Sequence, residues 1–187
     1  MSNPFLAPST LPYQLPPFAE ISDEHYAPAI EQGMAEQLAE IQTITRRRDM
    51  PTFENTMVPL ESSGQLLTRA LRVFYNKASA DSNDATNALE AELAPRLAAH
   101  TDAITLDSAL YWRIAQLHER RDELDLSPEQ RYLIERHYTT MTLAGAGLDE
   151  AQKTRLSELN ARLSTLETAF EKNLLADTNE LAVVIDD

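Results

Sequence analysis

From Tyr26 to Leu174, apolar residues recur in steps of three and four. That is the repeat of a helix face and not of a strand. The first stripe is Tyr26, Ile30, Met34, Leu38, Ile41 and Ile44. The next, opening at Thr52, is Phe53, Met57, Leu60, Gly64, Leu67, Leu71, Phe74 and Ala78, a heptad rhythm held for more than three repeats. Leu89, Leu93, Leu97, His100 and Ile104 follow. Then come Leu110, Ile114, Leu117 and Leu124, with Tyr111 and Trp112 beside them, and finally Leu156, Leu159, Leu163, Leu166, Phe170 and Leu174. Only four glycines punctuate 187 residues, fewer than the tight turns of a sandwich or barrel need. The expected fold is all-α: a multi-helix bundle with long antiparallel helices and an extended Pro-rich N-terminal arm.

Local signals divide the chain. Five of the ten prolines fall in the first 17 residues, where fixed φ and missing donors favour an irregular, extended course. The apolar residues Phe5, Leu6, Leu11, Tyr13, Leu15 and Phe18 are too many for a free tail, so residues 1–21 are expected to lie as an arm packed on the body. Residues 22–180 form the helical domain. Ser22 is its first N-cap, and Arg46, Arg47 and Arg48 suit a helix end, where the macrodipole favours cations. Pro59 and Ser62-Ser63-Gly64 predict a break that splits the second stripe into a short and a long helix. Asp81 to Asp84 is a polar turn, Pro95 is expected to bend the third stripe, and Asp107 caps the next helix. Ser127 with Gln130, and Asp149 with Gln152, have the spacing of capping boxes. Gly145-Ala146-Gly147 is a stop, and the last helix is expected to run 25–28 residues. Residues 181–187 are strand-like at Leu181 to Ile185. A lone strand is unstable, so its partner is expected in sequence beyond this chain, with the segment poorly anchored here.

Chemistry is sparse. Sixteen Lys and Arg against thirty Asp and Glu give a net charge of −14, which disfavours nucleic acid and anionic membranes as partners. No apolar run approaches the ~20 residues of a bilayer span, and Met1 to Phe5 offer neither the basic region nor the apolar run of a secretory signal, so none is expected. A cytoplasmic location is expected. Cysteine is absent, which removes thiolate metal sites and cysteine nucleophiles. Phosphate-binding and nucleophile-elbow glycine motifs are also missing.

His118-Glu119-Arg120-Arg121-Asp122 resembles the zinc motif H-E-x-x-H with Asp in the last place. On a helix, His118 and Asp122 would share a face and Glu119 could act as base. The two arginines oppose a cation, however, and ion pairing on an exposed helix face accounts for the same residues. His100 sits on an apolar stripe and His137 lies near Tyr138 and Met141, both as core or boundary histidines. His25 serves the first turn. Glu90 and Glu92 are ordinary on an acidic helix. No catalytic, cofactor-binding or metal-ligating residue is therefore assigned.

Three stretches together resemble one family. The first comprises Asn3-Pro4-Phe5-Leu6, Leu15-Pro16-Pro17-Phe18, His25-Tyr26-Ala27-Pro28-Ala29-Ile30 and Gly33-Met34. The second is Leu60-Glu61-Ser62-Ser63-Gly64-Gln65-Leu66-Leu67-Thr68-Arg69. The third is Leu143-Ala144-Gly145-Ala146-Gly147-Leu148, followed by Leu156 to Leu175. They resemble the N-terminal part of thimet-oligopeptidase-type zinc metallopeptidases. The bacterial peptidyl-dipeptidase (dipeptidyl carboxypeptidase) branch is nearest, and oligopeptidase A is a sibling.

The resemblance covers essentially all of this chain but only the first part of a much longer protein. It implies a parent enzyme that removes dipeptides from the C-terminus of short peptides, with zinc bound by a downstream H-E-x-x-H that is absent here. It also implies that this portion is an inactive, zinc-free wall or gate of the peptide channel. Its partners would be the C-terminal catalytic half of the same parent chain and the short peptides themselves. Two other readings stand beside it. One is a self-standing acidic helical module that offers its heptad seams to a partner helix. The other is an enzyme built on the His118 region.

Overall fold

The computed structural model describes residues 3–181, and no strand occurs among them. The helices are α1 (Tyr26–Thr45), a short α2 (Val58–Glu61), α3 (Gln65–Ala80), α4 (Asp84–Thr105), α5 (Ser108–Glu119), α6 (Pro128–Ala144) and α7 (Glu150–Glu180). The all-α expectation holds.

Helix starts follow the capping residues, whose side chains satisfy amide donors that have no carbonyl within the helix. At α6, Ser127 N donates to Gln130 Oε1 at 2.9 Å and Gln130 N to Ser127 Oγ at 3.3 Å. At α7, Asp149 N donates to Gln152 Oε1 at 3.2 Å and Gln152 N to Asp149 Oδ1 at 2.8 Å. Asn83 and Thr86 form the same reciprocal pair at α4, both bonds 2.8 Å, and Asp107 caps α5. Gly145 ends α6 with φ 100°, and Ala146 N returns to Met141 O at 2.9 Å.

The expected break falls in place. Thr52 and Asn55 cap a π-helical turn, Phe53–Met57, that runs into α2. The chain then turns through Gly64 at φ 69° before α3. Pro59 sits in the first turn of α2, where its missing N–H costs nothing. α4 carries Pro95 inside it and runs on to Thr105. Two details differ from the sequence reading. α5 stops at Glu119, which leaves Leu124 in the following turn rather than on the helix. α7 is 31 residues long, because nothing in its sequence interrupts it.

Three antiparallel pairs organise the chain: α1 with α3, α5 with α6, and α4 with α7. Two apolar cores result. The first joins Phe5, the N-terminal half of α1, the face of α3 carrying Leu66, Leu67, Ala70, Val73 and Phe74, and Leu93 of α4. The second joins Ile41 and Ile44 of α1 with Met57, Leu110, Ile114, Leu117, Ile134, Met141 and Ala146. α1 is thus the spine shared by both. The heptad stripe from Phe53 is divided between them: Met57 lies in the second core, and Leu67 and Phe74 lie in the first. α1 and α3 approach closely at Gly33, where an added Cβ would stand 2.7 Å from the Leu67 Cα.

The proline-rich segment forms successive 3₁₀ turns, Pro4–Leu6, Pro12–Gln14 and Phe18–Glu20. Phe5 is buried, whereas Leu6, Leu11, Leu15 and Phe18 are about half exposed and Tyr13 is 97% exposed. Leu181 follows α7 and is exposed. The rest of the strand-like end, residues 182–187, lies outside the described residues.

Candidate functional site

The His118 cluster does not form the helical face that its spacing suggests. Arg120 is already the C-cap of α5, so Asp122 lies beyond the helix, where it faces Arg131 at 3.5 Å. Glu119 accepts from Gln116 at 3.2 Å. The His118 ring stacks on Tyr138 with centroids 4.0 Å apart, and Tyr138 stacks on Tyr111 at 5.7 Å. Burial, helped by the Arg121 charge, pushes the His118 pKa below its ordinary value. The stacking of this ring on Tyr138 and the neighbouring Arg120 and Arg121 charges oppose a cation here. Among the described residues, no group of three or more His, Asp or Glu side chains is placed to hold a metal. The donor set here does not fit zinc.

The other histidines are engaged elsewhere. His100 Nε2 bonds Gln37 Oε1 at 2.7 Å, while its Nδ1 is buried without a partner. Burial lowers its pKa. His137 Nε2 meets Glu61 Oε1 at 2.6 Å. His25 Nδ1 accepts from Ser22 N at 3.0 Å and fixes the first turn.

The motif stretches converge on a structural clamp. Asn3 Nδ2 donates to His25 O at 2.8 Å. Arg69 donates twice to Phe5 O, at 3.0 and 2.7 Å, and the Phe5 ring lies 5.6 Å from that of Tyr26. Glu40 accepts from Gly64 N at 2.8 Å. These residues hold the first segment, α1 and α3 in register.

Two buried cations escaped the sequence reading. Arg113, 1% exposed, donates to Thr56 Oγ1, Asn55 Oδ1 and the carbonyls of Arg47 and Asp49. Lys153, 6% exposed, donates to Ser108 Oγ at 2.5 Å. The available signal was position: Arg113 sits on the apolar face of α5 beside Ile114, where a solvated cation does not belong.

The feature that asks for a function is α7. It packs against α4 with a small and polar face: Lys153, Ser157, Asn160, Ala161, Ser164, Thr168 and Lys172 are buried or half-buried. Asn160 donates to Asp102 Oδ1 at 2.8 Å, and Lys172 Nζ donates to Asn87 O. Of its apolar stripe, Leu156 is half-buried beside Gly145, whereas Leu159, Leu163, Leu166, Phe170 and Leu174 point the other way and are 47–67% exposed. At 3.6 residues per turn the two faces lie roughly 140° apart. Among the described residues, neither core includes any residue of α7. This 31-residue helix thus turns an apolar stripe to solvent among the described residues.

Comparison with known proteins gives that exposed stripe a context. No family model matches the chain. The dipeptidyl carboxypeptidase of Escherichia coli K12 is 39% identical over 185 residues, which is 99% of this chain and 27% of that protein. The chain is homologous to dipeptidyl carboxypeptidase along its whole length. The Salmonella typhimurium dipeptidyl carboxypeptidase is 38% identical over 186 residues. Oligopeptidase A of Haemophilus influenzae is more distant, 30% identical over 179 residues, or 95% of this chain and 25% of that protein. This chain therefore spans about a quarter of the length of the dipeptidyl carboxypeptidases it matches. No helix among the described residues is long and apolar enough to cross a membrane.

Proposed function

We propose that the chain is the N-terminal helical part of a cytoplasmic zinc peptidyl-dipeptidase that removes dipeptides from the C-terminus of short peptides. In this reading it forms a wall of the peptide channel opposite the catalytic half, which carries the zinc ligands. The observation that supports it is the combination of identity over 99% of this chain with coverage of 27% of the relative. In this reading the zinc ligands belong to the catalytic half, and the His118 ring of this portion is stacked on Tyr138 beside Arg121.

The test is a chimera in which the chain replaces the matching segment of the Escherichia coli dipeptidyl carboxypeptidase. The chimera is expected to release C-terminal dipeptides, and the 187-residue chain with added zinc is expected to release none. Peptide cleavage by the chain alone, abolished by His118→Ala, would overturn the reading. The exposed stripe of α7 also suits a self-standing interaction module. That reading gains if the chimera folds but is inactive.

A further inference from the structure

The stripe from Leu159 to Leu174 spans 16 residues, about 22 Å of helix. Its spacing of four, three, four and four is the spacing at which two helices interdigitate side by side. The opposite face is taken by α4, through small and polar contacts that leave a cavity of about 280 Å³ between Ala94, Ala98 and Thr101 of α4 and Ser164, Thr168 and Glu171 of α7. A helix whose only partner was α4 would be expected to turn leucines toward it, because burying them is the larger gain. α7 instead satisfies polar partners on α4: Asn160 reaches Asp102, and Lys172 reaches the carbonyl of Asn87. Those contacts fix its rotation and hold the leucines outward.

We propose that the stripe Leu159, Leu163, Leu166, Phe170 and Leu174 docks an apolar helical face supplied by the three quarters of the peptidase chain that this sequence does not span. The inference rests on the proposed function above. Two observations select that occupant. The homologous proteins continue for nearly three times the length matched here, so sequence able to cover the stripe belongs to the same polypeptide. The stripe also has the periodicity of a helix partner rather than of a strand or an extended peptide. A partner in the same chain has a high effective concentration, so five half-exposed side chains suffice where a separate protein would need a larger surface. α7 then joins the two parts of the enzyme: its polar side faces the helices described here and its apolar side faces the remainder.

The experiment uses the same chimera, with and without the triple substitution Leu163→Gln, Leu166→Gln, Phe170→Gln. Because these side chains are exposed in the chain itself, the substituted 187-residue chain is expected to keep its helicity and melting temperature and to remain a monomer by light scattering. In the chimera the same substitutions are expected to lower soluble yield or melting temperature and to reduce dipeptide release at least tenfold. Loss of folding of the substituted chain on its own overturns the inference, since the stripe would then be internal. So does a wild-type chain that is dimeric and becomes monomeric on substitution, which would make a second copy the occupant. If the wild-type chimera is active and the substituted one equally active and stable, the docking inference fails and the peptidase reading stands. A folded but inactive wild-type chimera removes both.

Discussion

Arg113 Nη2 donates to Asn55 Oδ1 at 2.7 Å, and Asn55 in turn accepts from Thr52 N at 2.8 Å to cap the π-helical turn. A buried guanidinium on α5 thereby holds the loop that ends the α1 spine. Among the described residues, no carboxylate bonds it directly. Burial pushes its pKa down and the Asp49 charge opposes that shift. The carbonyls of Arg47 and Asp49 take its other fork, at 3.3 and 3.2 Å.

Arg113→Ala is expected to cost about 2–4 kcal/mol, because it leaves buried acceptors without a donor. Arg113→Lys should recover little of this, since an ammonium cannot reproduce the fork. Urea denaturation measures both. An Arg113→Ala chain within 0.5 kcal/mol of wild type would mean that water replaces the guanidinium freely.

Gly33→Ala reverses the usual helix preference. In an exposed helix, alanine is favoured by about 1 kcal/mol. Here the new Cβ would stand 2.7 Å from the Leu67 Cα and N, backbone atoms that cannot rotate away. α1 and α3 must separate, at a cost of about 1–3 kcal/mol. Thermal melting checks the sign, and a raised midpoint would contradict the close approach.

The arm is expected to be held at one point. Phe5→Ala should destabilise by about 3 kcal/mol, as for a buried aromatic. Tyr13→Ala, at a ring 97% exposed, should change stability by less than about 0.5 kcal/mol. The same contrast should appear in limited proteolysis, with Phe5→Ala exposing residues 7–17 to cleavage. Equal effects of the two substitutions would refute a single anchor.

Acid should weaken the fold in two windows. Burial lowers the His100 pKa, and burial with Arg121 lowers that of His118. A histidine depressed in the folded state contributes stability that is present above its unfolded pKa, about 6.5, and is lost as pH falls below it. Asp49 and Asp81 are lowered by their Arg47 and Lys77 partners, and Glu129 by Ser127. Their contributions are lost only as pH falls through and below about 4. Unfolding free energies at pH 7.5 and 5.5 should therefore differ less in His100→Gln than in wild type. An unchanged slope would show that His100 does not titrate against folding.

Local chemistry was legible in advance wherever the decisive groups lie within a few residues of one another. The pairs Ser127 with Gln130 and Asp149 with Gln152 placed two helix starts, since each bond is made by backbone three positions away. Pro59 and Gly64 placed the break between α2 and α3 by the same local logic. The shared face that spacing suggests for His118 and Asp122 is absent because a spacing of four has meaning only while the helix lasts, and α5 ends at Glu119. Arg113 was invisible because a cation on an apolar face is stable only if distant carbonyls come to it, here from residues 47 and 49.

The amphipathic pattern of α7 was written in its sequence; its direction was not. A stripe of leucines establishes that one face seeks an apolar partner. Which face turns inward depends on what the neighbouring helix offers. α4 offers Asp102 and the Asn87 carbonyl, so polar bonds to Asn160 and Lys172 set the rotation of α7 and leave Leu163, Leu166 and Phe170 outside. Sequence alone determined the helices and their capped starts, through bonds between near neighbours. Tertiary structure decided the burial of Arg113 and the exposure of the α7 stripe, through contacts between residues some sixty or more positions apart.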